Sequence, residues 1–324
     1  MKAIVYHRYG PPEVLSLEEI DKPVPSDDQV LIQVRAASVN PYDWHFMRGT
    51  PRFARIFMGL GKPKSPRLGT DVAGVVESVG RNIKRFKPGD AVFGGGKGAF
   101  AEYACAKESE LALMPQSIPI QQAASVPIAG LTALQGLRDN GHLQPGQSVL
   151  INGAAGGVGT FAVQIARSFG AHVTGVCSTR NIDLVHSIGA EKVIDYTRED
   201  FTAGATRYDV IFDLVGNHSL AALRRVLQPT GTFVACGGGG PDKSSLDLLL
   251  PMFQQLATAP FTKQKLTGVF AKFNQQDLAL LAEMIESGKV KPVLDRTYSL
   301  GDVPDAIRYV EGCHARGKVT IAIA

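Results

Sequence analysis

The chain is poor in cysteine and has no long apolar run. Its four cysteines, Cys105, Cys177, Cys236 and Cys313, are widely spaced and form no CxxC pair. That speaks against a disulfide scaffold and against a cysteine-rich zinc lobe. Each stands among apolar or small residues and is expected to pack as a small hydrophobe. No window is apolar enough to span a bilayer, and the start, Met1-Lys2-Ala3-Ile4-Val5-Tyr6, reads as a strand rather than a signal peptide. The cytoplasm is therefore the expected compartment. Surplus charge is scarce as well. Lys and Arg number 34 against 30 Asp and Glu, a formal +4 over 324 residues. With no nucleic-acid-reading motif beside it, that balance gives no reason to expect RNA or DNA as a partner.

The composition is 44% hydrophobic and 20% charged, with 35 glycines and 19 prolines. This is a globular chain rich in tight turns, long enough for two domains. Up to about residue 124 it reads as short strands, such as Val30-Leu31-Ile32-Gln33-Val34 and Val72-Ala73-Gly74-Val75-Val76. Pro23, Pro25 and Lys87-Pro88-Gly89-Asp90 interrupt them. An all-β, partly open barrel is expected there. From 120 to 140 the pattern turns helical. Strand and helix then alternate through Ser148-Val149-Leu150-Ile151, a helix over 160–169, His172-Val173-Thr174-Gly175-Val176, Asp209-Val210-Ile211-Phe212 and Gly231-Thr232-Phe233-Val234. Such alternation of buried apolar strands with helices predicts a doubly wound parallel sheet. Helices are expected over 277–287 and 302–311, with a last strand over 318–323. The expected division is 1–124 with 266–324 as one discontinuous domain, and 125–265 as a dinucleotide-binding domain.

The strongest motif is Asn152-Gly153-Ala154-Ala155-Gly156-Gly157-Val158-Gly159, between a strand and a helix. Missing side chains let backbone approach a pyrophosphate, which then meets the free N–H groups and positive end of the helix. The other reading of the glycines is an ordinary tight turn. NAD sites place an acid near the end of the second strand to bond the ribose hydroxyls. Here that end reads Val176-Cys177-Ser178-Thr179-Arg180, without a carboxylate. Ser178 and Arg180 can instead donate to a 2′-phosphate, and Tyr196 can add its hydroxyl or ring. NADPH is the expected cofactor. The bland alternative has Arg180 in a solvated loop and Tyr196 packed on the sheet. Leu214-Val215-Gly216-Asn217 and Cys236-Gly237-Gly238 follow buried strands and are expected to touch the same ligand.

On these residues the chain resembles the quinone oxidoreductase, zeta-crystallin-like branch of the medium-chain dehydrogenase/reductases. The resemblance rests on Val39-Asn40-Pro41-Tyr42-Asp43-Trp44, Gly69-Thr70-Asp71-Val72-Ala73-Gly74, the 154–159 fingerprint and His314-Ala315-Arg316-Gly317-Lys318-Val319. It looks nearest to the chloroplast-envelope quinone oxidoreductase homologues and the mitochondrial reticulon-interacting reductases. It implies a GroES-like catalytic domain plus a Rossmann domain, with the cofactor in the cleft between them. It further implies that Asn40, Thr132, Gly268-Val269-Phe270 and Arg316-Gly317-Lys318 line the nicotinamide or phosphate region. Zinc-dependent relatives carry a Cys near the position of Asn40 and Gly-His-Glu where this chain has Gly69-Thr70-Asp71. No set of three ligands remains, so no metal is expected.

Without a metal, a conjugated acceptor is easier to reduce than a simple ketone. Hydride addition to a quinone or to the β-carbon of an enone spreads the charge over a hydroquinone anion or an enolate. Asn40, Tyr42 and His45 are the candidate donors to that oxygen. Beside Trp44 and Phe46, His45 also reads as a packing residue, and Asp43 as a turn-fixing one. The expected activity is NADPH-dependent reduction of a quinone or an enone. The alternatives are a zinc-free alcohol or aldehyde dehydrogenase and a non-catalytic NADPH-binding structural or sensor protein. Residues 48–67 hold Arg52, Arg55, Lys62 and Lys64 and no acid, interleaved with Phe53, Ile56, Phe57, Met58 and Leu60. They read as a solvated loop, or as a flap that guides a hydrophobic or anionic substrate or touches a membrane surface. Leu246, Leu248, Leu249, Leu250, Met252 and Phe253 suggest a pocket lining or a dimer contact, and a homodimer is the expected assembly.

Overall fold

The computed structural model describes residues 1–237 and 263–324, and these divide into two compact units. One holds Met1–Ile128, Phe273–Gly288 and Pro292–Ala324; the other holds Ala129–Lys272 and Lys289–Lys291. The leucines and aromatics from 246 to 253, and Gly238, lie outside the described residues.

In chain order the first unit opens with β1 (Lys2–Tyr6), β2 (Leu15–Glu19), β3 (Gln29–Val39), α1 (Pro41–Arg48), α2 (Arg55–Met58) and β4 (Asp71–Val79). β5 (Ala91–Gly95), β6 (Tyr103–Lys107), β7 (Leu111–Leu113) and α3 (Ile120–Ala124) follow. Next come α4 (Pro127–Gln135), β8 (Ser148–Asn152), α5 (Gly157–Ser168), β9 (His172–Cys177), α6 (Ile182–Ser187), β10 (Lys192–Asp195), β11 (Tyr208–Asp213), α7 (Leu220–Arg225), β12 (Leu227–Ala235) and β13 (Lys265–Gly268). The chain then adds α8 (Gln275–Glu286), β14 (Leu294–Ser299), α9 (Val303–Glu311) and β15 (Lys318–Ala322).

In the first unit a seven-stranded sheet runs β14-β15-β3-β4-β5-β7, with β6 also on β3. The last strand returns to the first long one: β15 pairs antiparallel with β3, Val319 opposite Val39. The sheet buries Ile32, Val34, Val72, Val92, Phe100, Leu111 and Ile321, and Ile307 of α9 packs on the same core. In the second unit six parallel strands run β10-β9-β8-β11-β12-β13. The order reverses between β8 and β11, and in such sheets ligands bind outside the carboxyl ends at that reversal. This is the doubly wound arrangement that the alternation predicts.

Local differences have local causes. The helical stretch of 120–140 is divided, because Pro127 cannot continue a helix from α3 but can open α4. α1 is a helix inside a region expected to be all β. Pro41 sits at its first position, Gly49 ends it at φ +62°, and Trp44 and Met47 face the core. Of the cysteines only Cys177 is buried; Cys313 is exposed and Cys105 and Cys236 are intermediate. Among the described residues no helix is long and apolar enough to cross a membrane.

Candidate functional site

In the second unit the site begins where β8 passes through its glycine turn into α5. Gly153 has φ +89°, and its N–H and that of Ala154 donate to the Val176 carbonyl at 3.2 and 3.0 Å. The turn is thus tied to β9. At Gly159 a Cβ would stand 2.1 Å from the Gly153 carbonyl oxygen, and on Gly175 one would meet Val185 at 2.5 Å. Both positions demand glycine for close approach. The residue before α5, Gly156, has no side chain with which to cap it, so first-turn N–H groups of Gly157, Val158 and Gly159 are left for an anion.

The neighbouring strand ends supply the rest. Asn152, Asp213, Ala235 and Gly268 are in register across β8, β11, β12 and β13, so the turns after them share one edge of the sheet. The buried Asp213 carboxylate accepts from the N–H groups of Val215 and Gly216 at 3.1 and 3.0 Å and from Asn152 Nδ2 at 2.9 Å. Asn152 Nδ2 also donates to Asn217 Oδ1 at 3.0 Å. The 215–217 turn is therefore fixed from beneath, and a Cβ on Gly153 would touch Val215. Gly237 follows β12 at φ +87°. Asn140 Nδ2 donates to the Gly268 carbonyl at 3.1 Å, beside buried Val269 and Phe270, which is 88% exposed. Thr132 is buried in α4. At the end of β9, Ser178 Oγ accepts from Asn181 Nδ2 at 3.2 Å, while Arg180 and Tyr196 are exposed. Asn181 Oδ1 is buried and has no hydrogen-bond partner. A glycine cradle at a helix N-terminus, a held turn after β11 and an orphaned polar atom at the far end all fit a dinucleotide.

The first unit brings together a different group. Asn40, before α1, uses its whole amide: Nδ2 donates to Asp71 Oδ2 at 2.9 Å and to the Ser38 carbonyl at 3.3 Å, and Oδ1 accepts from Lys318 Nζ. Asp71 also accepts from Ser38 Oγ at 2.7 Å and from the Ile128 N–H at 2.9 Å, and lies 3.6 Å from the Lys318 ammonium. Asp43 accepts from the N–H groups of Asn40 at 2.8 Å and Gly69 at 3.1 Å. The side chains of Ser38, Asn40, Asp43, Asp71 and Lys318 are all almost wholly buried. Sequence reasoning placed Lys318 at the ligand; here it points into this cluster. Gly317 has φ +96°, and a Cβ there would stand 2.4 Å from the Val293 carbonyl oxygen. Arg316 is exposed, its N–H bound to Asp295 at 2.8 Å.

Burial sets the electrostatics. It lifts the Asp43 carboxyl to about 7, helped by neighbouring Asp71 and opposed by its two N–H donors. It lowers Lys318 from the usual lysine range, against the pull of Asp71 and Asp43. It also lowers His45, so the imidazole is neutral near pH 7. His45 stacks on Trp44 with ring centroids 3.6 Å apart, its Nδ1 3.4 Å from Thr50 Oγ1. Tyr42 is half-exposed beside Phe46. Because the folded pKa of Asp43 lies above its unfolded value near 4, the folded chain keeps a proton that the unfolded chain releases. Stability from this group is full below pH 4 and is lost as pH rises through about 7. Urea unfolding from pH 5 to 8 should show that fall, and Asp43→Asn should flatten it; an equal slope in the variant would contradict the assignment.

Zinc does not fit this donor set. Asp71 and Asn40 are satisfied by an internal lysine ammonium and three other donors, where a zinc site needs about three free N, S or O ligands. Among the described residues no group of three His, Cys, Asp or Glu is placed to hold a metal ion.

A family model described as an alcohol dehydrogenase GroES-like domain matches residues 26–116, and one described as a zinc-binding dehydrogenase matches 188–321. The 2-methylene-furan-3-one reductase of Solanum lycopersicum is 36% identical over 99% of the chain and 79% of its own length. The chloroplastic NADPH-dependent alkenal/one oxidoreductase of Arabidopsis thaliana is 37% identical with the same coverage. The solved structure of the quinone oxidoreductase from Coxiella burnetii superposes with a TM-score of 0.86 at 30% identity, covering 100% of this chain and 99% of that one.

Proposed function

Since this chain belongs to the quinone oxidoreductase branch of the medium-chain dehydrogenase/reductases, we propose that it is an NADPH-dependent, zinc-independent reductase of quinones or α,β-unsaturated carbonyls. The observation that carries the reading is the 153–159 cradle at the strand-order reversal, where Gly159 leaves no room for any other side chain. Gly153, Ala154, Ala155, Gly156, Gly157, Val158 and Gly159 are assigned to the pyrophosphate. Ser178, Arg180 and Tyr196 are assigned to the 2′-phosphate end, and Val215, Gly216, Asn217, Gly237, Thr132, Gly268, Val269 and Phe270 to the remainder. When bound, NADPH supplies the hydride.

The chain's own part is to orient the acceptor and stabilise its oxygen. Tyr42 and neutral His45, both on α1, are the proposed donors, each worth about 2.7–4 kcal/mol if preorganised. Asn40 is committed at both ends of its amide, so its proposed role is to hold the start of the helix that carries them. Product analysis with an enone and NADPH tests the reading. A saturated ketone is expected; an allylic alcohol would favour a carbonyl reductase instead.

The 51–64 segment adds a feature for hydrophobic acceptors. Phe57 and Leu60 are 78% and 75% exposed, with Ile56 and Phe53 beside them and Arg52, Lys62 and Lys64 around them. Arg55 is spent internally: it donates to the Gly49 and Arg48 carbonyls at 2.9 and 3.0 Å and covers the Tyr9 ring. We assign the exposed rim to guiding lipophilic quinones. Phe57→Ser with Leu60→Ser should raise KM for a long-chain quinone about tenfold, the loss of ~1.4 kcal/mol of apolar contact, and leave KM for a small enone unchanged. Parallel changes for both substrates would count against the assignment.

A further inference from the structure

The preference for NADPH rests on the second strand ending without an acid, yet the third strand brings one to the same corner. Asp195 ends β10 in register with Cys177, the end of β9. Its carboxylate is nearly buried and turned onto hydroxyls. Oδ2 accepts from Thr179 Oγ1 at 2.5 Å; Oδ1 accepts from Thr197 Oγ1 at 2.8 Å and from the Thr197 N–H at 3.0 Å. Arg198 Nε lies 3.5 Å away, and the two threonine hydroxyls are 3.0 Å apart. Thr179 stands between Ser178 and Arg180, and Tyr196 directly follows Asp195.

An anion therefore sits among the groups assigned to another anion. Hydrogen bonds from Thr179 and Thr197 hold its pKa below the usual carboxylate range, so it is charged at neutral pH. A carboxylate at this corner with free lone pairs is the NAD-type arrangement: it accepts from ribose hydroxyls and repels a 2′-phosphate. Here three hydrogen bonds engage the carboxylate, and the Arg198 guanidinium, 3.5 Å away, offsets part of its charge.

We propose that Thr179 and Thr197 are specificity-determining residues that mask Asp195, so that the corner between β9 and β10 accepts the 2′-phosphate of NADPH. The inference rests on the assignment of Ser178, Arg180 and Tyr196 to that phosphate. It turns cofactor choice into a question of where a carboxylate points, since the acid that selects NADH is present but turned away.

Calorimetric titration with NADP⁺ and NAD⁺ reads this directly, without turnover. Both threonines are exposed, so Thr179→Val and Thr197→Val keep shape and core and remove only the hydroxyls. Thr179→Val should weaken NADP⁺ about tenfold with NAD⁺ unchanged or tighter, and the double variant should lower the affinity ratio about a hundredfold, or ~2.8 kcal/mol. Adding Asp195→Asn to the double variant should restore NADP⁺ binding, which a merely structural role for the threonines would not do. A ratio within twofold of wild type in the double variant, or a loss that Asp195→Asn fails to rescue, overturns the proposal. Wild-type protein that binds NAD⁺ more tightly than NADP⁺ overturns the phosphate assignment itself, and the proposal with it.

Discussion

Replacing Lys318 with methionine should destabilise the protein by about 3–5 kcal/mol, the cost of stripping the partner from a buried charge. The ammonium is the cation that faces Asp71 at 3.6 Å and the donor to Asn40 Oδ1. Methionine fills a similar volume, so the loss is electrostatic rather than a cavity. Asp71 would keep its bonds from Ser38, Asn40 and the Ile128 N–H. Even so, two buried carboxylates, Asp71 and Asp43, would lack a counter-charge. Two responses are open to the variant: protonation of one acid, seen as a steeper loss of stability with rising pH, or loosening of the β3–α1 junction. Adding Asp71→Asn removes one of those charges and should recover part of the stability, a coupling that a double-mutant cycle measures. A single variant within about 0.5 kcal/mol of wild type, the range of ordinary surface changes, would show that the cluster is not held by this lysine.

The second large effect is expected at Gly159. It lies in the first turn of α5, where alanine would by propensity favour the helix by about 1 kcal/mol. The added Cβ would nonetheless stand 2.1 Å from the Gly153 carbonyl oxygen, and 2.8 Å from backbone atoms of Ala154. Backbone cannot swing aside as a side chain can, so the 153–156 turn must move. A displacement of about 1 Å at a positioned group costs on the order of a hundredfold. Gly159→Ala should therefore raise the NADPH dissociation constant about a hundredfold, and the strained turn should lower the thermal midpoint as well, since overpacking costs about 1–3 kcal/mol. Gly61→Ala is the control, because a Cβ there meets nothing within 4 Å. Equal NADPH affinity in Gly159→Ala and Gly61→Ala would remove the cradle from the account.

What was legible in the sequence follows from range. The parallel strands read correctly because β8, β9 and β11 are buried on both faces, which leaves uninterrupted apolar runs in the chain itself. The placement of the glycines between a strand and a helix was legible because its constraint is local. α1 was not, since eight residues with Trp44 and Met47 inward leave too short a period to recognise. Nor was β13: four residues at a sheet edge bury little and show no alternation. The two polar clusters were out of reach for another reason. Lys318 meets Asn40 across 278 residues and Asp195 meets Thr179 across 16, both through strand pairings that only the topology creates. A lysine opening an apolar strand, Lys318-Val319-Thr320-Ile321, was the one available hint that its charge is buried.

The proposed donors, neutral His45 and half-exposed Tyr42, stand on α1, whose start is held by the buried cluster, so in the proposed mechanism stability and catalysis share this helix. The residues proposed for the nucleotide are supported separately, by Asp213 under the 215–217 turn and by the glycines above it.

The most direct test of the whole reading is steady-state oxidation of NADPH and NADH by chelator-treated protein, with a quinone and an enone as acceptors. The account predicts turnover that chelation leaves unchanged, with kcat/KM for NADPH at least tenfold above that for NADH. Preference for NADH, or activity that disappears with the chelator and returns with zinc, would contradict it.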